Sequence, residues 1–113
     1  MSPITTHVLD TSRGKPAQGV AVVLELRESD KWTELARGST NADGRIANLL
    51  PAGTPLQAGI YRLCFATGDY FQAQGVRGFY PEVEVIVHID DPSGHYHIPL
   101  LLSPYGYSTY RGS

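Results

Sequence analysis

The chain has 113 residues, 42% of them hydrophobic, and a net charge of −2. That length predicts one domain, residues 1–113, able to bury a core of its own. The near-neutral balance gives no basic footprint for nucleic acid or an anionic membrane. A single cysteine, Cys64, excludes an internal disulfide and a cysteine-based zinc site, and no apolar run approaches the roughly 20 residues that span a bilayer.

Twelve glycines and eight prolines punctuate short segments of period-two alternation, the pattern of an all-β sandwich. Met1-Ser2-Pro3 leads straight into strand-like sequence without a basic-then-apolar segment. The expectation is a soluble cytoplasmic protein. Residues 4–10 read as the first strand, with Ile4, Thr6 and Val8 facing the core and Thr5, His7 and Leu9 on the other face. Residues 11–19 read as a polar turn segment. Residues 20–28 alternate well, with Val20, Val22, Leu24 and Leu26 on one side. A shorter strand over 32–39 precedes the tight turn Asn41-Ala42-Asp43-Gly44, whose residue types suit unusual backbone angles. Arg45 to Leu49 is expected to resume as a short strand.

Residues 60–67 place Tyr61, Leu63 and Phe65 together, and residues 82–89 place Val83, Val85, Val87 and Ile89 together. Between them the alternation lapses. Asp69 is placed to cap a short helix over Tyr70 to Gln74, ended by Gly75. The last two strands are expected near 95–102 and 106–111. In the first of these Tyr96, Ile98, Leu100 and Leu102 make the core face. His95, His97, Pro99 and Leu101 make the other.

The histidines carry the chemistry, because imidazole changes charge near pH 6.5 and serves as a general base. His88 shares its face with Glu82 and Glu84, which fits an ordinary solvated side chain. His97 sits beside Pro99 and Leu101, which a simply exposed face would rarely carry. That face, and the one bearing His7, are expected to be covered by a partner subunit. His95 and His97, two apart on one strand, also fit a pair of metal ligands. No acid follows them on that face to complete such a site. Arg45 fits either an exposed residue after a turn or a fixed guanidinium at a site. Trp32 and Cys64 read as packing residues.

The ending His95-Tyr96-His97 through Tyr110-Arg111-Gly112-Ser113, the opening Ile4-Thr5-Thr6-His7-Val8-Leu9-Asp10 and the turn Asn41-Ala42-Asp43-Gly44-Arg45 closely resemble the transthyretin-related 5-hydroxyisourate hydrolase family. The likeness covers essentially the whole chain. It implies a transthyretin-like sandwich of two roughly four-stranded sheets with one short helix. It implies a homotetramer, a dimer of dimers around a central channel lined by the faces bearing His7, His97 and Ser108. The implied reaction is hydrolysis of 5-hydroxyisourate in urate breakdown, with no cofactor and no metal. His7, Arg45 and His97 would be catalytic. Tyr110, Arg111, Gly112, Ser113 and Ser108 would contact substrate or close the pocket. Which histidine is the base stays open. The alternative is a non-catalytic binder, since transthyretin shares the fold and carries an aromatic hormone in the same channel. A structural β module with a similar Asn-Ala-Asp-Gly-Arg turn is a third reading.

Overall fold

The computed structural model describes residues 2–112. Strands β1 (Ile4–Asp10), β2 (Lys15–Pro16), β3 (Ala21–Glu28), β4 (Lys31–Ser39) and β5 (Gly59–Phe65) are followed by one helix, α1 (Thr67–Gln72). Strands β6 (Val83–Ile89), β7 (Tyr96–Ser103) and β8 (Gly106–Thr109) complete the fold. They form two four-stranded sheets, ordered β2-β1-β7-β8 and β4-β3-β5-β6. Among the described residues only β1 and β7 pair in parallel; the other pairs are antiparallel. This is the all-β sandwich with one short helix that the alternation predicts. Among the described residues no helix is long and apolar enough to cross a membrane.

The inward faces of both sheets make one core. Ile4, Val8, Val22, Leu24, Leu63, Phe65, Val83 and Leu100 are buried in it, as strand parity predicts. Each such side chain contributes roughly 1.5–3 kcal/mol on leaving water. Polar groups drawn inside are paired. Thr6 donates to the Ile98 carbonyl at 2.7 Å, and Tyr61 donates to the Gln57 carbonyl at 2.7 Å.

Asp10, at the end of β1, is fully buried. One carboxylate oxygen accepts from the Ser12 hydroxyl at 2.6 Å, and the other from Tyr70 of α1 at 2.7 Å. Burial pushes this carboxyl up, but the bonds from Ser12, Tyr70 and the Arg13 amide hold it below the usual carboxylate range. On the outer face of the second sheet Arg62 bridges Glu25 and Glu84, each at 2.8 Å, and lies 4.3 Å over the Trp32 ring. Cys64 is half-buried beside them. Burial first, then its bond to Glu25, push its thiol up to about 12, which leaves it an inert packing group.

Several local expectations are corrected. Arg45 to Leu49 is not a strand; Arg45 makes a single antiparallel bridge to His7. Ala47 to Leu50 instead follow turns and bends, and Asn48 has φ of 56°, a left-handed angle that an extended strand does not use. The helix begins at Thr67, with Ala66 at the cap position and no side-chain cap, so Asp69 lies within its first turn. It forms because Thr67, Tyr70 and Phe71 are buried, not because it is capped. The polar segment 11–19 contains the short strand β2, which pairs with the end of β1. The last strand stops at Thr109, and among the described residues the chain rejoins β7 through a bridge between Gly112 and His97.

Candidate active site

The parallel register sets Thr5 beside His97 and His7 beside Pro99. Neighbours across a ladder share a face, so Thr5, His7 and His97 emerge on the same side of the sheet. The core does not take these side chains, since Tyr96 and Ile98 occupy the opposite face. Pro99 is itself buried, and Leu9 and Leu101 are half-buried, within the single chain. The apolar part of this face is therefore already partly covered without a partner.

Arg45 arrives from the turn. Asn41 Oδ1 accepts from the Asp43 amide at 2.9 Å and the Arg45 amide at 3.1 Å, winding the segment tightly. Gly44 has φ of 76°, and a Cβ there would fall 2.3 Å from the Val8 carbonyl oxygen. Only glycine allows that approach, and it lets the Val8 amide donate to the Gly44 carbonyl at 2.8 Å. The turn is thereby stitched to β1, with Arg45 paired against His7.

The turn also fixes His7. Its Nε2 lies 2.8 Å from the Asp43 carbonyl oxygen. A carbonyl only accepts, so Nε2 carries the proton and Nδ1 is the free acceptor of the neutral ring. His97 is held differently. Its Nδ1 lies 2.8 Å from the Thr5 hydroxyl, which is also 3.3 Å from Nε2 of His95. Burial, then the charges of Arg45, His7 and His95, hold His97 below the ordinary imidazole range. Thr5, Asn41, Arg45, His95 and His97 line a groove of about 500 Å³. The arrangement is a half-buried imidazole kept neutral, beside a guanidinium, in an open groove. It can take a proton from water and stabilise a developing oxyanion. Among the described residues no three His, Cys, Asp or Glu side chains converge as metal ligands.

The structure brings together only part of the predicted set. Gly112 is at the cluster: its amide donates to the His97 carbonyl at 2.8 Å, and a Cβ on it would sit 2.5 Å from Cδ2 of the His97 ring. Arg111 turns to the opposite face, its guanidinium 4.6 Å over the Tyr96 ring. Tyr110 is exposed and, with Arg111, borders a second groove of about 340 Å³ between β6 and β8. Ser108 pairs with Leu101, on the His97 face but four residues away, roughly 13 Å along the strand. Ser113 lies outside the described residues. Thr5, which strand parity places on the His7 face without a role, is the residue that joins His97 of β7 to His95, just before that strand. Its type gives no signal; only the β1–β7 register does.

The HIUase/Transthyretin family profile matches residues 4–112 of this chain. The chain belongs to that family. It is 51% identical over 112 residues to a 5-hydroxyisourate hydrolase of Salmonella dublin, an alignment covering 97% of this chain and 80% of that protein. Among solved structures it is similar to 5-hydroxyisourate hydrolase of Klebsiella pneumoniae, with TM-score 0.86, 41% identity, and coverage of 99% of this chain and 100% of that one. It is also similar to sea bream transthyretin in complex with thyroxine, with TM-score 0.90, 37% identity, and coverage of 97% and 94%. Hydrolase and hormone-bound transthyretin match the backbone almost equally well. Within this family the fold does not separate catalysis from binding, and the side chains on the β1–β7 face must.

Proposed function

We propose that this protein hydrolyses 5-hydroxyisourate to 2-oxo-4-hydroxy-4-carboxy-5-ureidoimidazoline, with His97 as the general base. The observation that carries the reading is His97 itself, held neutral by burial and by Arg45 in an open groove. A base must be neutral before it can act, and a lowered pKa ensures that at pH 7. In the proposed step a water gives one proton to Nε2 of His97 while its oxygen bonds to a ring carbonyl carbon. The carbonyl electron pair moves onto oxygen, where the Arg45 guanidinium stabilises it. Collapse of that intermediate breaks the ring C–N bond, and the proton on His97 passes to the leaving nitrogen. His7, with Nε2 tied to Asp43, offers Nδ1 to hold the attacking water. Gly112 brings the tail against the His97 ring and narrows the groove on that side.

The same reading assigns residues 1–113 to one transthyretin-like unit, placed in the cytoplasm and assembled as a tetramer. The free Cys64 supports a reducing compartment. Exposed Phe79, Tyr105 and Ile86, at 69%, 71% and 59%, support burial against further copies. Ser108 is too far from His97 in one chain to share its substrate, so its assigned contact requires a face from another copy.

The competing reading is a transthyretin-type binder, favoured by the 0.90 TM-score to the thyroxine complex. A carrier needs no neutral histidine beside an arginine. The deciding measurement is the ultraviolet decay of freshly generated 5-hydroxyisourate with and without the protein. Faster decay with protein is expected. An unchanged decay, with saturable binding of an aromatic ligand, would replace hydrolysis by carriage.

A further inference from the structure

We infer that Thr5 is a positioning residue that fixes the tautomer of His97, holding the proton on Nδ1 so that Nε2 is the free acceptor. This rests on the hydrolase reading for its purpose, though not for its geometry.

The Thr5 hydroxyl lies between two imidazoles, 2.8 Å from Nδ1 of His97 and 3.3 Å from Nε2 of His95. A hydroxyl has one proton to give and two lone pairs to receive with. It cannot donate to both rings at once, so at least one ring must donate to it. The main-chain carbonyl of Thr5 selects His97 as the donor: it can only accept, and it lies where it favours the protonated His97 ring. The chain of bonds then runs from His97 Nδ1–H to the Thr5 oxygen, and from the Thr5 hydroxyl to Nε2 of His95. His95 is exposed and can adjust to receive that proton.

The consequence is specific to the base. A neutral imidazole carries its one proton on either nitrogen, and the hydrogen bond made by one nitrogen decides the state of the other. With Nδ1–H committed to Thr5, Nε2 keeps its lone pair. When Nε2 takes the proton of water, Nδ1–H stays where it is and Thr5 need not turn. The groups facing His97 are Arg45 from the turn, His7 from β1 and His95 from the residue before β7, and all three disfavour the imidazolium. Thr5 opposes them, which keeps the pKa lowered without making the ring unable to accept a proton.

The test compares wild type with Thr5→Val, which keeps the branched shape, and Thr5→Ser, which keeps the hydroxyl. Nitrogen-15 NMR of histidine-labelled protein reads the tautomer, and 5-hydroxyisourate decay reads the rate. Wild-type His97 is expected to carry its proton on Nδ1. Thr5→Val should shift the proton mostly to Nε2 and lower kcat by roughly tenfold with KM nearly unchanged, a smaller loss than the hundred- to ten-thousand-fold that a general base contributes. Thr5→Ser should recover both readouts. Wild-type His97 protonated on Nε2 would overturn the inference, whatever the variants do. So would Thr5→Val with wild-type tautomer and rate. A wild type without hydrolysis would remove the function proposed above, while the NMR spectra alone would still decide what Thr5 does to His97.

Discussion

At the scale of single residues, the site turns on the protonation of one imidazole. His97→Asn should lower kcat/KM by about a hundred- to ten-thousand-fold with the fold intact, because the side chain leaves the core face untouched. The pH dependence follows from the lowered pKa of His97. Neutral His97 is the active form, so the rate should be full at neutral pH and fall only as pH drops below the ordinary 6.5, through the depressed value. The same shift costs stability in acid. Between the folded value and 6.5 the unfolded chain binds the proton more readily, so folding weakens as pH falls through that window. A kcat/KM profile with its acid limb above 6.5 would remove His97 from the role of base. Arg45→Lys separates charge from shape. Lysine keeps the positive charge, so the acid limb should move little, but it loses the planar two-pronged donor, so turnover should fall. Near-normal kinetics in that variant would leave Arg45 as a turn residue only.

At the scale of elements, β1 carries the site and two attachments hold it. The turn at Asn41–Arg45 docks on it through Gly44, and the Asp10 carboxylate ties its end to α1 through Tyr70. Tyr70→Phe removes a donor to a buried charge, and should destabilise the protein by about 1.5–3 kcal/mol at neutral pH. Asp10 titrates below its usual 3.8, so its contribution is present above that value and lost as pH falls through the folded one. Removing Tyr70's hydroxyl raises the folded value, so the gap between variant and wild type should close in acid. Urea unfolding at pH 7 and near pH 3 checks both the size and the trend. The tail docks instead on the neighbouring strand β7, where Gly112 bridges to His97. Gly112→Ala would push a methyl to 2.5 Å from Cδ2 of His97, and either the ring or the tail must move. Hydrolysis should fall markedly with little change in the unfolding midpoint; an unaffected rate would show that the tail does not bear on the base.

For the whole molecule, the open edges decide the assembly. Strands β6 and β8 are the outer strands on one side of the two sheets, and the groove between them is bordered by Val85, Ile98 and Tyr110. Unpaired edges with exposed aromatics beside them are unusual on an isolated small protein. Phe79, Tyr80 and Tyr107 already stack edge to face with centroids 5.0 and 5.1 Å apart, leaving Phe79 outward. Light scattering at micromolar concentration should return four times the 12.3 kDa chain mass. A monomer mass would strip Ser108 of its assigned contact and leave the groove open on one side.

Strand existence, sheet faces and the identity of the core were legible in residue order, because alternation is a property of neighbours two apart. Val20 to Leu26 and Tyr96 to Leu102 could be sorted into faces without any fold. That His7, Arg45 and His97 stand close together was expected from the family likeness of three short segments, and the structure brings them side by side. Arg45 to Leu49 was misread as a strand because the turn at Asn48, and not a period, sets the course of that segment. The helix start was misread because packing of Tyr70 and Phe71, rather than a cap, holds it. Pairing between positions 92 apart lay beyond reach, since the energy that joins β1 to β7 comes from a ladder neither segment can form alone. That ladder alone places Thr5 against His97, and two-residue parity within the tail turns Arg111 away from the ring that Gly112 touches. The residue types of the chemistry reside in the chain's order, whereas the tautomer, the lowered pKa and the company each group keeps arise only when distant strands close on one another.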